Sequence, residues 1–233
     1  MIREAIILAG GLGTRLRSAV PDLPKCMAPV AGKPFLEHLL TYYIAQGIES
    51  FIFSLGYKHE VIEQFVKAYF GNDNRSYSFS IEEEPLGTGG AIKKAIELTQ
   101  TEDVLVMNGD TFFKVDIAEL SLFHQQHDSD CTLSLKPMKE SDRYGVVETD
   151  HTNRILSFKE KNYYENSLIN GGVYALNVSS FISINLPEKF SFEKDYLEQY
   201  YLELNFYGIE QDQYLIDIGI PSDFEKANID LAN

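Results

Sequence analysis

The stretch Ala5-Ile6-Ile7-Leu8-Ala9-Gly10-Gly11-Leu12-Gly13-Thr14-Arg15-Leu16 decides the fold of this chain. An apolar run of strand length enters a glycine-rich turn, and the turn at once presents an arginine. Such a run bounded by glycines is the pattern of a strand buried on both faces. Glycines let main-chain N–H groups approach a phosphate closely, and Arg15 adds a permanent charge with forked donors. Two familiar phosphate loops are excluded. No GxxxxGK[ST] occurs, and Leu16 stands where a dinucleotide-binding GxGxxG would place its third glycine. Pro21 and Pro24 make the following residues an extended loop rather than a helix. A lone glycine cluster is also an ordinary turn, so its meaning depends on what accompanies it.

Outward from this loop, expected strands at Ala5–Leu8, Ser50–Leu55, Ser76–Ile81 and Val104–Met107 alternate with expected helices at Pro34–Gln46, Lys58–Ala68 and Gly89–Leu98. Leu36, Leu39, Leu40, Tyr43 and Ile44 recur at helical spacing and give one apolar face. After Asp110 a helix at Asp116–Gln126 precedes short strands at Cys131–Pro137, Gly145–Thr149, Ile155–Phe158 and Gly172–Asn177. Phe192–Leu202 reads as helix, Tyr207–Ile209 and Tyr214–Ile216 as strands. A closing helix at Ser222–Leu231 would be capped by Ser222 or Asp223. The pattern predicts an α/β fold of three layers, α/β/α. Its central sheet is mixed and mostly parallel, with a small antiparallel β addition. Ligands of such sheets bind at the carboxyl ends of the strands.

The chain has 233 residues, 44% hydrophobic and 24% charged, enough for one substantial core. No repeat, low-complexity tract or linker divides it, so residues 1–233 are expected to form one domain. Its net charge is −15, from 20 basic and 35 acidic residues, which argues against nucleic acid as a partner. A polyanionic ligand must then be held by a local concentration of Arg, Lys, N–H groups or metal. Cys26 and Cys131 make no metal or redox motif and suit a reducing compartment. Cys26, beside the charged loop, reads as mildly reactive or as a plain small hydrophobe. No apolar run approaches membrane-span length, so a cytoplasmic protein with no membrane partner is expected.

Lys25 follows Arg15 in the same loop, and two cations above a strand end form a compact polyphosphate clamp. Asn108-Gly109-Asp110 ends an apolar strand, and an Asp there can hold Mg²⁺, which takes one or two carboxylates plus phosphate oxygens. Asp217 has similar surroundings, although turns also favour Asp. In Glu82-Glu83-Glu84-Pro85-Leu86-Gly87-Thr88-Gly89-Gly90, three acids beside a phosphate site make sense if one accepts hydrogen bonds from a ligand. The N1–H and N2–H₂ edge of guanine suits a carboxylate, whereas uracil or thymine prefers an amide. Gly145 and the Gly171-Gly172 pair permit close backbone approach, or mark bulges. Glu160 and Asn170 can bond sugar hydroxyls, and Lys161 can neutralise a monophosphate.

Taken in order, these segments resemble the sugar-1-phosphate nucleotidyltransferase family over essentially the whole chain. The residues that carry the likeness are Gly11–Leu16, Lys25, Leu86–Gly89, Asp110, Gly145, Glu160-Lys161, Asn170 and Asp217. The resemblance implies the Rossmann-like fold of nucleotide-diphospho-sugar transferases and a single catalytic domain. It implies that Leu8, Ala9, Gly10, Gly11, Gly13 and Thr14 cradle the nucleotide together with Thr88, Asn108 and Gly109. Arg15, Lys25 and Asp110 would be catalytic, Asp110 and Asp217 would hold Mg²⁺, and Glu82 and Gly87 would read the base. Gly145, Glu160, Asn170 and Gly171 would hold the sugar, and Lys161 its phosphate. Asn162 departs from the proline that many members carry after Glu-Lys. Within the family the chain looks most like the guanylyltransferases that act on a heptose 1-phosphate. The implied substrates are a nucleoside triphosphate, GTP favoured, and a sugar 1-phosphate, with a homodimer as the assembly to consider.

The implied nucleophile is a phosphate oxygen that is already anionic, so no general base is required. Two alternatives stay open at this point. One is a uridylyltransferase acting on a hexose or amino-sugar 1-phosphate. The other is a catalytically silent regulatory subunit that binds nucleotide sugars, against which the retention of Arg15, Lys25, Asp110, Lys161 and Asp217 together argues.

Overall fold

The structure, a computed structural model, describes every residue except 12, 14, 15, 17–19, 72, 142 and 233, and leaves out the side chain of Ser141. Strand β1 (Glu4–Leu8) lies at the centre of the sheet, parallel to β4 (Ser50–Leu55) on one side and to β6 (Asp103–Asn108) on the other. Outside β4 lies β5 (Ser76–Ile81), also parallel. The crossovers that parallel strands require contain α1 (Phe35–Ala45), α2 (His59–Phe70) and α3 (Gly87–Ile96). Two small strands precede α1, β2 (Pro29–Val30) and β3 (Lys33–Pro34), and they pair with each other.

Alternation along each central strand divides the core between the two faces. Ala5, Ile7, Phe51, Phe53, Leu105 and Met107 pack into one buried cluster with α1 and α2 residues. Ile6, Ile52, Val104 and Val106 pack into the other with Ile92 and Ala95 of α3. The three-layer arrangement follows directly from residues one apart in sequence facing opposite ways.

The second half extends the same sheet. A short strand β7 (Thr111–Phe113) and helix α4 (Ile117–Gln126) lead to β8 (Cys131–Ser141). Asp116 caps α4 by accepting from Glu119 N at 2.9 Å. Strands β9 (Val146–Thr149), β10 (Ile155–Lys159) and β11 (Tyr164–Asn177) follow, with α5 (Val178–Ser183) after them. A π-helical turn, Phe192–Leu197, runs into α6 (Glu198–Tyr200), then β12 (Phe206–Glu210), β13 (Leu215–Asp217) and α7 (Pro221–Asp230). The main order is β5-β4-β1-β6-β11-β8-β12, with β11 alone running backwards and β9 and β10 attached beside it.

Among the boundaries that differ from the sequence reading, three have a clear physical cause. β11 begins at Tyr164 rather than Gly172, because Gly171 and Gly172 form a bulge inside one long strand and do not start it. β8 continues through Pro137, which lies beyond the pairing with β12, where an edge position tolerates a missing N–H. The closing helix starts on Pro221 with Ile220 at its N-cap, and neither Ser222 nor Asp223 caps it. Proline suits the first helical position, where no N–H is needed.

The first turn of α3 packs against the Glu188–Phe190 segment through glycines. A methyl placed on Gly90 would lie 2.3 Å from the Glu188 carbonyl oxygen and 2.8 Å from Leu86 Cβ. Overpacking against fixed backbone costs about 1–3 kcal/mol, more than the roughly 1 kcal/mol of helix propensity that alanine gains. Gly90→Ala is expected to lower the thermal midpoint by several degrees in a calorimetric scan; an unchanged or raised midpoint would show that the contact yields freely.

Candidate active site

At the carboxyl ends of β1, β4 and β6 lies a cleft of about 520 Å³. The ladders continue past the strand ends, with Ala9 N donating to Ser54 O and Gly109 N to Leu8 O, both at 2.8 Å. These bonds hold the opening loop flat against its neighbours. Gly10 has no room for a side chain, since a methyl there would sit 2.9 Å from Glu82 Oε1. Gly13 has φ +58° and passes close to Lys25, a backbone region that glycine adopts without strain. Leu8, Ala9, Gly10, Gly11, Gly13, Lys25, Glu82, Gly87, Thr88, Asn108, Gly109 and Asp110 all line the cleft. Thr14 and Arg15 lie outside the described residues.

Lys25 begins a 3₁₀ turn, Lys25–Met27, that sets its side chain inward, only 11% exposed. Its ammonium donates to Asp110 Oδ2 and lies 3.4 Å from Asp217 Oδ1. The two aspartates are brought together by the β7–β13 ribbon, in which Asp217 pairs with Thr111. Ile218 N donates to the Asp110 carbonyl at 3.0 Å, and Gly219 N to Asp217 Oδ1 at 2.6 Å. Among the described residues no group of three or more metal-capable side chains exists. The donor set here is two carboxylates around one cation.

Glu82 is the only one of the three consecutive acids that faces the cleft; Glu83 and Glu84 are exposed. Its Oε2 accepts from Leu86 N at 2.9 Å and its Oε1 from Ser54 Oγ at 3.4 Å. The carboxylate is therefore pinned while Oε1 stays beside Gly10. Cys26 is buried, and burial first, then the Asp110 carboxylate, push its thiol up to about 12. It is an inert hydrophobe here, and the mild reactivity considered from sequence does not arise.

The glycine-rich entry to α3 serves a different purpose from the opening loop. Gly89 N donates to Phe190 O at 3.0 Å, and a methyl on Gly87 would lie 2.4 Å from that same oxygen. Thr88 Oγ1 donates to Glu193 Oε2 and accepts from Phe192 N, both at 2.8 Å. These groups seat the Phe190–Glu193 segment, so α3 does not point free N–H groups of Gly89 at a ligand.

The residues expected to hold the sugar do not line this cleft. Val146 pairs with both Lys159 and Ile169, which brings Gly145, Glu160 and Asn170 to one end of the β9–β10–β11 addition. Glu160 and Lys161 are exposed there. Asn170 donates to Tyr174 Oη at 2.8 Å and accepts from Gly172 N at 3.0 Å. Gly171 is buried against the Phe113 ring, and Gly172 abuts Asn108 on the cleft wall. The addition thus meets the cleft at the β11 bulge. Sequence reasoning missed Ser54, Gly219 and Glu193 as lining residues. Gly219 was signalled by its place two after Asp217; Glu193 had no signal beyond a helix start.

Residues 4–233 match the sequence model of the family described as nucleotidyl transferase. The chain belongs to that family. It is 53% identical over 230 residues to a D-glycero-alpha-D-manno-heptose 1-phosphate guanylyltransferase of Aneurinibacillus thermoaerophilus, covering 98% of each protein. It is 46% identical over 221 residues to the enzyme of that name from Campylobacter jejuni, covering 95% of this chain and 96% of the relative. In structure this nucleotidyl transferase is similar to HddC from Yersinia pseudotuberculosis. The TM-score is 0.87 at 37% identity, over 99% of this chain and 100% of HddC. HddC has also been solved complexed with GMP-PN, and that structure matches with a TM-score of 0.83.

Native protein at neutral pH is expected to incorporate no maleimide at Cys26 or Cys131, both of which are buried, and to take up two after denaturation. Rapid labelling of the folded protein would contradict the packing described for the cleft floor.

Proposed function

We propose that this chain transfers GMP from GTP to D-glycero-α-D-manno-heptose 1-phosphate, giving GDP-heptose and pyrophosphate. The single observation that carries the reading is the arrangement of Lys25, Asp110 and Asp217 at the strand ends, in a chain whose full-length relatives carry that name. An oxygen of the sugar phosphate attacks the α-phosphorus, one P–O bond forms, the α–β anhydride breaks, and pyrophosphate departs in line. The attacking oxygen is anionic already, so the site works by alignment and charge neutralisation. Lys25 places a cation at the reacting centre. Asp110 and Asp217 are the residues that would hold Mg²⁺, whose chemistry there is to neutralise phosphate oxygens. Two carboxylates converging on one cation fit that ion's needs. GTP preference is supported by Glu82, whose Oε1 faces the cleft as an acceptor for the guanine edge. A cytoplasmic location is supported by two free, buried cysteines.

Pyrophosphate release across a grid of nucleoside triphosphates and sugar 1-phosphates tests the reading. GTP with the heptose 1-phosphate should be the best pair, and faster turnover with UTP or dTTP would overturn the guanylyl assignment. Glu82→Gln should lower kcat/KM for GTP by about tenfold or more, by replacing a charged acceptor with an amide, and leave UTP little changed. Asp110→Asn and Lys25→Ala should each lower kcat at least ~10²-fold, the usual loss for one preorganised charge-stabilising group. Near-normal turnover by either folded variant removes that residue from the mechanism.

A further inference from the structure

Glu193 lines the cleft but has no part in the chemistry derived above. Its carboxylate is held from one side only. Oε2 accepts from Thr88 Oγ1 at 2.8 Å and from Ser191 Oγ at 3.2 Å, while Oε1 has no hydrogen-bond or ion-pair partner among the described residues. The side chain is thus fixed in direction with one acceptor oxygen to offer.

A fixed anion in a cleft for two polyanions is unfavourable unless it meets something neutral and rich in donors. A phosphate placed beside it would be repelled. Both substrates carry such a part, as ribose hydroxyls or as the hydroxyls of the acceptor sugar. The surroundings of Glu193 favour the sugar. Phe192, next to Glu193, sets its ring edge-on to that of Tyr174 at 5.0 Å between centroids, and Tyr174 accepts from Asn170 at 2.8 Å. The segment that carries Glu193 is therefore packed against the strand that carries Asn170, whereas Glu82 lies beside Gly10 of the opening loop.

We propose that Glu193 is a specificity-determining residue that accepts hydrogen bonds through Oε1 from hydroxyls of the acceptor sugar. The inference rests on the sugar 1-phosphate reading above. It explains why a carboxylate is tolerated in the cleft and why Thr88 and Ser191 hold only one of its oxygens. The Thr88 bond also ties sugar recognition to the loop that carries Gly87.

The test is steady-state pyrophosphate release by the full-length wild type, Glu193→Gln and Glu193→Ala. Heptose 1-phosphate is varied at saturating GTP, and GTP at saturating heptose 1-phosphate. Glu193→Gln should raise KM for the sugar 1-phosphate roughly tenfold, and Glu193→Ala further, the scale of a lost charged hydrogen bond. KM for GTP should stay within about twofold, which also reports an intact fold. An unchanged sugar KM overturns the proposal. A rise in the GTP KM alone assigns Glu193 to the ribose, and equal rises in both assign it a structural role; either overturns the proposal too. A wild type that turns over no sugar 1-phosphate with any nucleotide overturns the functional reading itself, and is seen before any variant is made.

Discussion

One ammonium shared by two carboxylates is the interaction on which the rest of this site depends. Lys25 sits with its side chain 11% exposed, while Asp110 and Asp217 keep about a third of theirs exposed, at 36% and 31%. Removing a partner from such a cluster leaves an uncompensated, partly buried charge, which is far costlier than losing an exposed ion pair. The cluster also makes chemical sense where phosphates meet. In a chain of net charge −15, a cation held at the strand ends gives the local field the opposite sign to the global one.

The three partners come from widely separated parts of the chain, and the sheet brings them together. β1 and β6 are adjacent and parallel, so the loop after Leu8 and the turn after Asn108 emerge side by side. Asp217 arrives only because β13 pairs with β7. The glycines then divide into two sets with different reasons. Gly10 and Gly109 allow the cleft walls to close on one another, with methyls there meeting Glu82 Oε1 and Leu8 O at 2.9 Å each. Gly87, Gly89 and Gly90 seat the Phe190 segment and with it Glu193.

Much of this was legible in the sequence, because local pattern and global fold agree here. The double alternation of Ile6/Ile7, Phe51/Ile52/Phe53 and Val104–Met107 is a direct imprint of a sheet covered on both faces. The strand-end glycines and Asp110 could be placed because their function is tied to the ends of such strands. What stayed hidden has a common cause. β7 and β13 are three residues each, too short to show a period, so their pairing could not be foreseen. The long β11 was read as starting at its bulge, since glycines interrupt a strand pattern whether or not the strand ends. Glu193 is unremarkable in sequence, because its meaning comes from Thr88, more than a hundred positions away.

The central claim is that Lys25 and the aspartates act as one charge-neutralising unit and not as independent contacts. A double-mutant cycle on kcat with Lys25→Ala, Asp110→Asn and the combined variant tests it most directly. A unit predicts that the combined variant is only about as slow as the worse single variant, since the first change already dismantles the cluster. Losses that multiply, to ~10⁴-fold for two single losses of ~10², would show that the two residues contribute separately and would contradict the account.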